Sequence, residues 1–421
     1  MPPTPLDPRR LAAAAACALA GAAAAGVLAV PALAQNSGGA SADPGRAAKP
    51  APAASGAQRV TDVGTPAAVT TPPKPLLITC RTACAGLDIV RAGGIVRVTG
   101  DGMDGARTVV FTGAKASGDE VSAPAVSVSP DAVDVVVPAG AVTGPVQVLD
   151  AAGAASRTTR KRITIASATR ASSAAAAPAA RVDVKKVFFR GPHRATVSVF
   201  IPDGPPQHVV VDLVRATDGV SVGHWELDGA GGTVQSASWG GVVGGNVQRD
   251  GRYRFQIQLP NAAGASAAQA SPTLAPAFTF LGDMFPIRGR HTFAEGVGRF
   301  GAGRAGHTHQ GQDVFAACGT PLVAARGGTV KFSGFQSRAG NYVVIDGAGT
   351  GDDYVYMHLK APSPVKKGDS VYTGEPIGEV GDTGDAVGCH LHFELWTAPG
   401  WYTGGEPVDP LPSLRAWDAH S

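Results

Sequence analysis

One short segment near the C-terminus, Gly-Cys-His-Leu-His-Phe-Glu at 388–394, constrains the fold more than any other part of this chain. In an extended strand, successive side chains point to opposite faces with a period of two. His390 and His392 therefore share one face, and Leu391 points into the layer on the other side. The segment predicts a strand with one apolar face and one face that carries two imidazoles.

A second segment, His-Gln-Gly-Gln-Asp at 309–313, offers further polar side chains. His309 and Asp313 are four residues apart and share a face on a helix or a strand, but Gly311 between them argues against a helix. Two imidazoles and a carboxylate, brought together by the fold, are a typical three-ligand set for catalytic zinc, with the fourth position left to water. These residues alone do not decide which histidine of the His-x-His pair would bind the metal.

A third alternating run, Tyr-Val-Tyr-Met-His-Leu at 354–359, adds one more histidine, and Gly-Asp-Thr-Gly follows at 381–384. In this order, the segments resemble the lysostaphin-type (LytM-like) zinc metallopeptidases, which cleave peptide bonds in bacterial peptidoglycan. The resemblance covers about residues 284–412. It implies a compact, β-rich catalytic domain that carries its site in a groove between loops.

The resemblance also implies a role for each chemical position. It implies one Zn²⁺ ion held by His309, Asp313 and His392. It implies proton transfer by His358 and His390 around a metal-activated water, and substrate positioning by Tyr356.

Two positions near the motifs have other readings. His307 forms a His-x-His pair with His309, but only His309 is followed by the Gly-x-Asp that completes the motif. Cys389 stands where the family commonly has proline. Strand alternation places it on the face opposite His390, so we expect no role for its sulfur as a metal ligand.

Cysteine arithmetic predicts two disulfides in an exported chain, because four cysteines remain after removal of the leader that contains Cys17. Cys80 and Cys84 have no second ligand pair nearby to complete a zinc knuckle, which favours a local bridge. Cys318 and Cys389 flank the implied metal site, so we expect them to pair; two buried free thiols are the alternative.

The N-terminus reads as an export signal at 1–34. Arg9 and Arg10 precede an uncharged run that ends in Ala32-Leu33-Ala34, a small-x-small cleavage site. The alternative is a retained anchor, since the run is long enough to span a bilayer. We expect cleavage. The mature chain would then be secreted or located in the cell envelope, with no membrane contact.

Stretches rich in Ala, Pro, Gly and Ser at 35–75 and 167–181 predict linkers. Between and after them, short alternating strands with Gly/Pro turns predict an all-β chain: two immunoglobulin-like β-sandwich modules, then the lysostaphin-type domain. The block at 76–166 is similar to TIG domains, and the block at 182–280 to fibronectin- or FlgD-like sandwiches. We expect both modules to be independent and to contribute no catalytic residue.

The net charge of +3 is too small to predict a nucleic-acid partner and is compatible with an anionic cell wall. The predicted function is a secreted zinc metalloendopeptidase that hydrolyses peptide bonds in bacterial peptidoglycan, and we expect it to be a monomer. A non-catalytic wall-binding or regulatory protein on the same fold is the alternative, against which the complete ligand set argues. The glycine spacing at 365–374 also occurs in biotinyl carrier domains, but this chain lacks the methionine-flanked lysine that those domains require. Which wall bond is cut stays open.

Overall fold

The computed structural model describes residues 73–113, 118–166, 177–259 and 273–421. Within these ranges the chain is nearly all β, as predicted, and one α-helix, α1 at Leu411–Asp418, lies close to the C-terminus. None of the described helices is both long and apolar enough to cross a membrane. The predicted signal peptide and most of both predicted linkers lie outside the described residues.

The first block contains nine strands in two sheets. They are β1 Lys74–Cys80, β2 Cys84–Gly86, β3 Ile89–Arg91, β4 Ile95–Asp101, β5 Ala106–Phe111, β6 Val121–Ser129, β7 Ala132–Val136, β8 Val146–Asp150 and β9 Thr164–Ala166. One sheet has the order β1-β4-β7-β6-β5-β8 and the other β2-β3-β9. Alternation explains the packing, since Val96 and Val98 of β4 are fully buried and their neighbours are half-buried.

The second block contains eleven strands. They are β10 Ala179–Val182, β11 Lys186–Phe188, β12 Ala195–Ile201, β13 Gln207–Arg215, β14 Ser221–Gly229, β15 Thr233–Trp239, β16 Val242–Val243, β17 Asn246–Val247, β18 Gly251–Gln258, β19 Thr273–Leu274 and β20 Ala277–Leu281. The order β10-β12-β15 forms one sheet and β11-β20-β18-β13-β14 the other, with β19 paired to β18. Strand β10 begins inside the predicted second linker, and β1 includes the last two residues, 74 and 75, of the predicted first linker. The immunoglobulin-like identity of both blocks stays a prediction.

The two N-terminal blocks are not independent, which corrects the sequence-based expectation. Phe200 and Val234 of the second block belong to the buried apolar cluster of the first. The backbone N–H of Cys84 donates to the carbonyl of Gly232, with N and O 2.7 Å apart. Removing either block would therefore expose apolar side chains of the other.

The third block is built on one large antiparallel sheet. Its strands are β21 His291–Phe293, β22 Gly303–Arg304, β23 His307–Thr308, β24 Gln312–Ala316, β25 Pro321–Val323, β26 Gly328–Gln336, β27 Gly340–Gly347, β28 Asp353–Leu359, β29 Ser370–Val371, β30 Pro376–Glu379, β31 His390–Trp396 and β32 Pro407–Val408. The main sheet has the order β21-β24-β31-β28-β27-β26-β29. Leu414 and Trp417 of α1 pack in its core, so the domain extends beyond the predicted bound at residue 412.

The second block is fixed against the third through buried polar contacts. Thr373, which is fully buried, donates its hydroxyl to the carbonyl of Phe189 and accepts the backbone N–H of Gly327 at 2.8 Å. The guanidinium of Arg326 lies 4.9 Å from the centre of the Phe189 ring. Buried polar groups whose hydrogen bonds are made favour a single arrangement of the second block against the third.

Candidate metal centre

The central strand β31 places the first set of site residues. In its antiparallel pairing with β24, His392 lies directly opposite Asp313. Gly311 precedes β24 at a point where a Cβ atom would lie 2.5 Å from the carbonyl oxygen of Phe393 and 2.7 Å from Nε2 of His392. The glycine in the His-x-Gly-x-Asp motif is therefore required by the close approach of the two strands.

Three potential ligand atoms converge at this point. Nε2 of His309 lies 2.9 Å from Nδ1 of His392 and 3.2 Å from Oδ1 of Asp313, and the last two atoms are 2.9 Å apart. All three side chains are buried. Tetrahedral zinc with bonds near 2.0–2.2 Å would hold neighbouring ligand atoms about 3.4 Å apart, only slightly wider than this. The residues predicted as ligands thus fit a metal ion.

Hydrogen bonds fix which ring nitrogen of His309 faces this point. Its Nδ1 lies 2.8 Å from the backbone carbonyl of Arg299, and a carbonyl can only accept. Nδ1 therefore carries the proton and Nε2 presents its lone pair to the other two side chains. An anchored outer nitrogen of this kind is typical of metal-binding histidines.

His392 has the opposite orientation because Glu394 lies behind it. Nε2 of His392 is 3.0 Å from Oε1 of Glu394, whose other oxygen accepts from the indole N–H of Trp396 at 2.7 Å and of Trp401 at 3.1 Å. Nε2 therefore donates to the carboxylate and Nδ1 faces the ligand cluster. Burial lowers the pKa of His392, but hydrogen bonds with Asp313 and Glu394 outweigh it and raise the pKa to about 9.

Asp313 is held as a carboxylate. Burial raises its pKa, but the neighbouring His309 and His392 side chains outweigh this and leave the pKa well below the ordinary value. Arg304 adds a positive charge 3.8 Å from Oδ2. A buried carboxylate that stays ionised is the form that binds a cation.

His358 reaches the site through a break in its strand. Its φ of +63° is in the left-handed region, and the pairing of β28 with β27 shifts register between Asn341 and Val343. This bulge turns the imidazole toward His390, with ring centres 4.7 Å apart. Backbone strain of this kind, which costs about 1–3 kcal/mol, is concentrated at functional sites.

The ring of His358 is anchored like that of His309. Its Nδ1 donates to the carbonyl of Thr383 at 2.8 Å, so Nε2 has a free lone pair. Burial lowers its pKa to about 4. His358 is therefore neutral near pH 7 and able to accept a proton.

His390 completes the group on the same face of β31 as His392. Its Nδ1 donates to the carbonyl of Gly388 at 2.9 Å, and its Nε2 lies 3.6 Å from Oδ1 of Asp313. The ring of Phe315, which is 47% exposed, lies 5.9 Å from the imidazole between centres. The structure thus brings all five predicted metal and acid–base residues together.

The structure corrects the role expected for Tyr356. Its side chain is fully buried in the domain core, and its ring packs on Phe393 with centres 5.3 Å apart. Its hydroxyl oxygen accepts the backbone N–H of Ala325 at 2.7 Å. Because this hydroxyl points away from the groove, it does not contact a substrate there.

The remaining predicted positions lie as follows. His307 is exposed and outside the ligand cluster. The sulfurs of Cys318 and Cys389 are bonded, with Cα atoms 5.3 Å apart, and those of Cys80 and Cys84 are bonded with Cα atoms 5.8 Å apart. Both disulfides are thus present, and one ties the loop after β24 to the start of β31.

Two contacts to the site histidines were not assigned from the sequence. Glu394 lies two residues after His392, so strand alternation alone puts it on the same face. That signal was available in the sequence. Thr383 acts through its backbone carbonyl. A carbonyl leaves no trace in residue type, so no sequence pattern could have indicated it.

Known proteins are similar to the part of this chain that contains the site histidines and Asp313. The family described as Peptidase family M23 matches residues 307–410. The chain is 42% identical over 89 residues to the peptidoglycan DD-endopeptidase ShyC of Vibrio cholerae, a match that covers 21% of this chain and 20% of that protein. It is 39% identical over 103 residues to the DD-carboxypeptidase/endopeptidase Mpg of Neisseria meningitidis, covering 24% and 22%.

Among solved structures, the catalytic domain of the antimicrobial peptidase lysostaphin from Staphylococcus simulans is similar, with 31% identity and a TM-score of 0.27. That match covers 30% of this chain and 92% of the lysostaphin domain. The chain spans about a fifth of the length of the curated relatives that it matches, 20% for ShyC and 22% for Mpg. In its C-terminal block, this chain thus matches Peptidase family M23 over residues 307–410 and is similar to LytM-like peptidases.

Proposed function

We propose that this chain is a zinc-dependent endopeptidase that hydrolyses peptide bonds of bacterial peptidoglycan. The observation that carries the proposal is the convergence of His309, Asp313 and His392 beside two further histidines whose Nε2 atoms are free. The similarity to proteins named as peptidoglycan endopeptidases supports the choice of substrate.

Each residue has a chemical task that its contacts support. A zinc ion, when bound, would supply Lewis acidity toward a carbonyl and lower the pKa of water to about 7. His309, Asp313 and His392 would hold it through the three convergent atoms, and Glu394 would orient His392. His358, neutral near pH 7 and with a free Nε2, is suited to accept a proton from the attacking water.

His390 has the complementary position across the same face. Its Nδ1–H is fixed by the carbonyl of Gly388, so its Nε2 is directed toward the space beside Asp313. We assign it to stabilise or protonate the tetrahedral intermediate. The pair His358 and His390 would then serve the two proton transfers of peptide hydrolysis.

Export is part of the proposal. The leader at 1–34 has the composition of a signal peptide, and the two disulfides fit an oxidising compartment. We place the mature chain in the cell envelope or outside the cell, where peptidoglycan is accessible.

The test uses the chain from residue 35 to 421, purified from an oxidising compartment. Metal content is measured by mass spectrometry, and fragments released from purified peptidoglycan are sequenced. We expect one zinc per chain, new peptide termini in the fragments, loss of release with a chelator and recovery with added zinc. Stoichiometric metal with no new termini from any peptidoglycan would favour the alternative, a non-catalytic wall-binding protein.

A further inference from the structure

The first two blocks enclose a cleft that the proposed catalysis does not use. It has a volume of about 410 Å³ and lies between the outer face of strands β1 and β4 and the outer face of strands β12 and β15. We call it the intermodule cleft. Its lining combines polar side chains with apolar ones such as Leu76 and Leu77, and a buried apolar cluster joins the same two blocks nearby.

One wall of the intermodule cleft is a row of hydroxyls. Thr196 lies opposite Ser238, and Ser198 opposite Ser236, in the pairing of β12 with β15. The hydroxyl oxygens of Thr196 and Ser238 are 2.8 Å apart. Hydroxyls both donate and accept hydrogen bonds, so this wall suits a ligand with amide groups.

The other wall carries guanidinium groups that differ in how well they are hydrogen-bonded. Arg97 makes two bonds of 2.7 Å to the carboxylate of Asp134. Arg81 reaches across the cleft but makes only long contacts, 3.3 Å to the carbonyl of Val234 and 3.4 Å to the hydroxyl of Ser236. Among the residues that the structure describes, neither Arg81 nor Arg194 has a carboxylate partner.

The electrostatics of Arg81 indicate that an anion is favourable there. Burial and the neighbouring charge of Arg97 both lower the pKa of Arg81, and the carboxylate of Asp134, which raises it, does not offset them. A partly buried guanidinium beside another one is destabilised by lost hydration and by repulsion. A bidentate oxyanion would relieve both.

The acidic residues of the cleft narrow the choice of anion. Asp183 accepts the backbone N–H groups of Val184 at 2.9 Å and Thr196 at 3.0 Å, and Asp131 accepts the hydroxyl of Ser129 at 2.7 Å. These carboxylates disfavour a dianionic phosphate and can accept N–H groups. No Trp, Tyr or Phe is among the described residues that line the cleft, so it has no platform for stacking a sugar ring.

We propose that the intermodule cleft binds the terminal carboxylate of a peptide, with Arg81 and Arg194 on the carboxylate and the hydroxyl row on the peptide amides. The identification of that peptide with a wall stem peptide rests on the proposed function. The affinity for a peptide carboxylate does not, because the cleft belongs to the two N-terminal blocks and contains none of the site histidines.

The test measures binding of an Ala-Ala-Ala peptide, labelled at its amino end with a fluorophore, by fluorescence anisotropy to the chain from residue 35 to 421. The double variant Arg81→Gln/Arg194→Gln should weaken binding by about tenfold or more, because hydrogen bonds to charged groups contribute about 1.5–3 kcal/mol. Amidation of the peptide's carboxyl end should weaken binding to the wild type to a similar extent.

The matched control is Arg157→Gln/Arg160→Gln, which removes the same charge from two exposed arginines outside the cleft. It should bind as the wild type does. Ser236→Trp fills the cleft, keeps every charge and should abolish binding. This variant tests whether the peptide binds in the cleft even if the arginine variant does not fold. Asp313→Ala should retain binding while it loses hydrolysis, which separates a failure here from a failure of the proposed catalysis.

Three results would overturn the proposal. The first is equal affinity for the acid and the amide, and the second is unchanged binding by the arginine variant or by Ser236→Trp. The third is inorganic phosphate competing more strongly than the unlabelled tripeptide, which would assign the cleft to phosphate instead of a peptide carboxylate.

Discussion

Two neighbouring strands of the catalytic sheet, β31 and β28, supply histidines to the same site by different means. On β31 the alternation is regular, with Leu391 and Phe393 in the core and the two histidines on the opposite face. On β28 the alternation puts Tyr354 and Tyr356 in the core, and His358, two residues later, would follow them. The bulge and the positive φ of His358 turn it to the other face.

The difference shows which part of the site the regular sheet can build alone. Paired, regular strands fix two of the three metal ligands, since Asp313 lies opposite His392 by register, and His309 lies just before β24. The residue assigned to take a proton requires an irregular backbone. The following substitutions therefore test either the metal ligands gathered around β31 or the irregular strand β28.

The largest effect is expected at the metal ligands around β31. His309→Ala or Asp313→Ala removes one of three convergent atoms and should abolish both zinc binding and hydrolysis, because removing a ligand leaves the other buried groups without a closed coordination set. Metal content and peptidoglycan release are measured on the same sample. His307→Ala is the matched control: it removes an exposed histidine two residues away and should change neither. Stoichiometric zinc in Asp313→Ala would refute the ligand assignment.

On the irregular strand, His358→Asn should keep the metal and lower turnover by about 10²–10⁴-fold, the usual contribution of a general acid–base residue. Asparagine tolerates the left-handed backbone better than most residues, so the bulge should persist. The measurement is kcat on a soluble peptide with zinc content determined in parallel. Turnover within about twofold of the wild type would exclude His358 from proton transfer.

The contrast also explains how far the sequence could be read. Period-two patterns were enough to predict an all-β chain and to put His390 with His392, and His309 with Asp313, on shared faces. The resemblance to lysostaphin-type peptidases implied that the two pairs meet in one site. The alternation on β28 could not show that His358 and Tyr356 separate, because a bulge depends on the partner strand. The shared core of the first two blocks was also missed, since Phe200 and Val234 look like ordinary core residues within their own strands.

Because of the irregular strand, the stability of the metal-free protein should also depend on pH. The pKa of His358 is about 4 in the folded chain, where burial lowers it from the ordinary histidine value of 6.5. The unfolded chain therefore binds the proton first, and the folded state loses stability as the pH falls from 6.5 to 4, by about 3 kcal/mol at most. Above pH 6.5 the group is neutral in both states and contributes nothing.

Denaturant unfolding of chelator-treated protein at several pH values between 4 and 7 checks this. The wild type should lose more stability than His358→Asn across that window. The contribution of His392, whose raised pKa acts above pH 6.5 in the opposite direction, is common to both proteins and cancels. Parallel curves for the two proteins would contradict the assignment.

The smallest effect is expected at Tyr356, the residue on the core side of the bulge. Tyr356→Phe removes the acceptor of the buried Ala325 N–H, which should destabilise the fold by about 1–3 kcal/mol. Turnover should not change, because the hydroxyl points away from the groove. Tyr402→Phe is the control: its hydroxyl, on a side chain 67% exposed, contacts Gln310 next to a ligand, and its loss should cost less than about 0.5 kcal/mol. A tenfold fall in kcat for Tyr356→Phe with unchanged stability would contradict this. It would mean that the bulge in β28 is lost during catalysis, so that Tyr356 and His358 lie on the same face of the sheet.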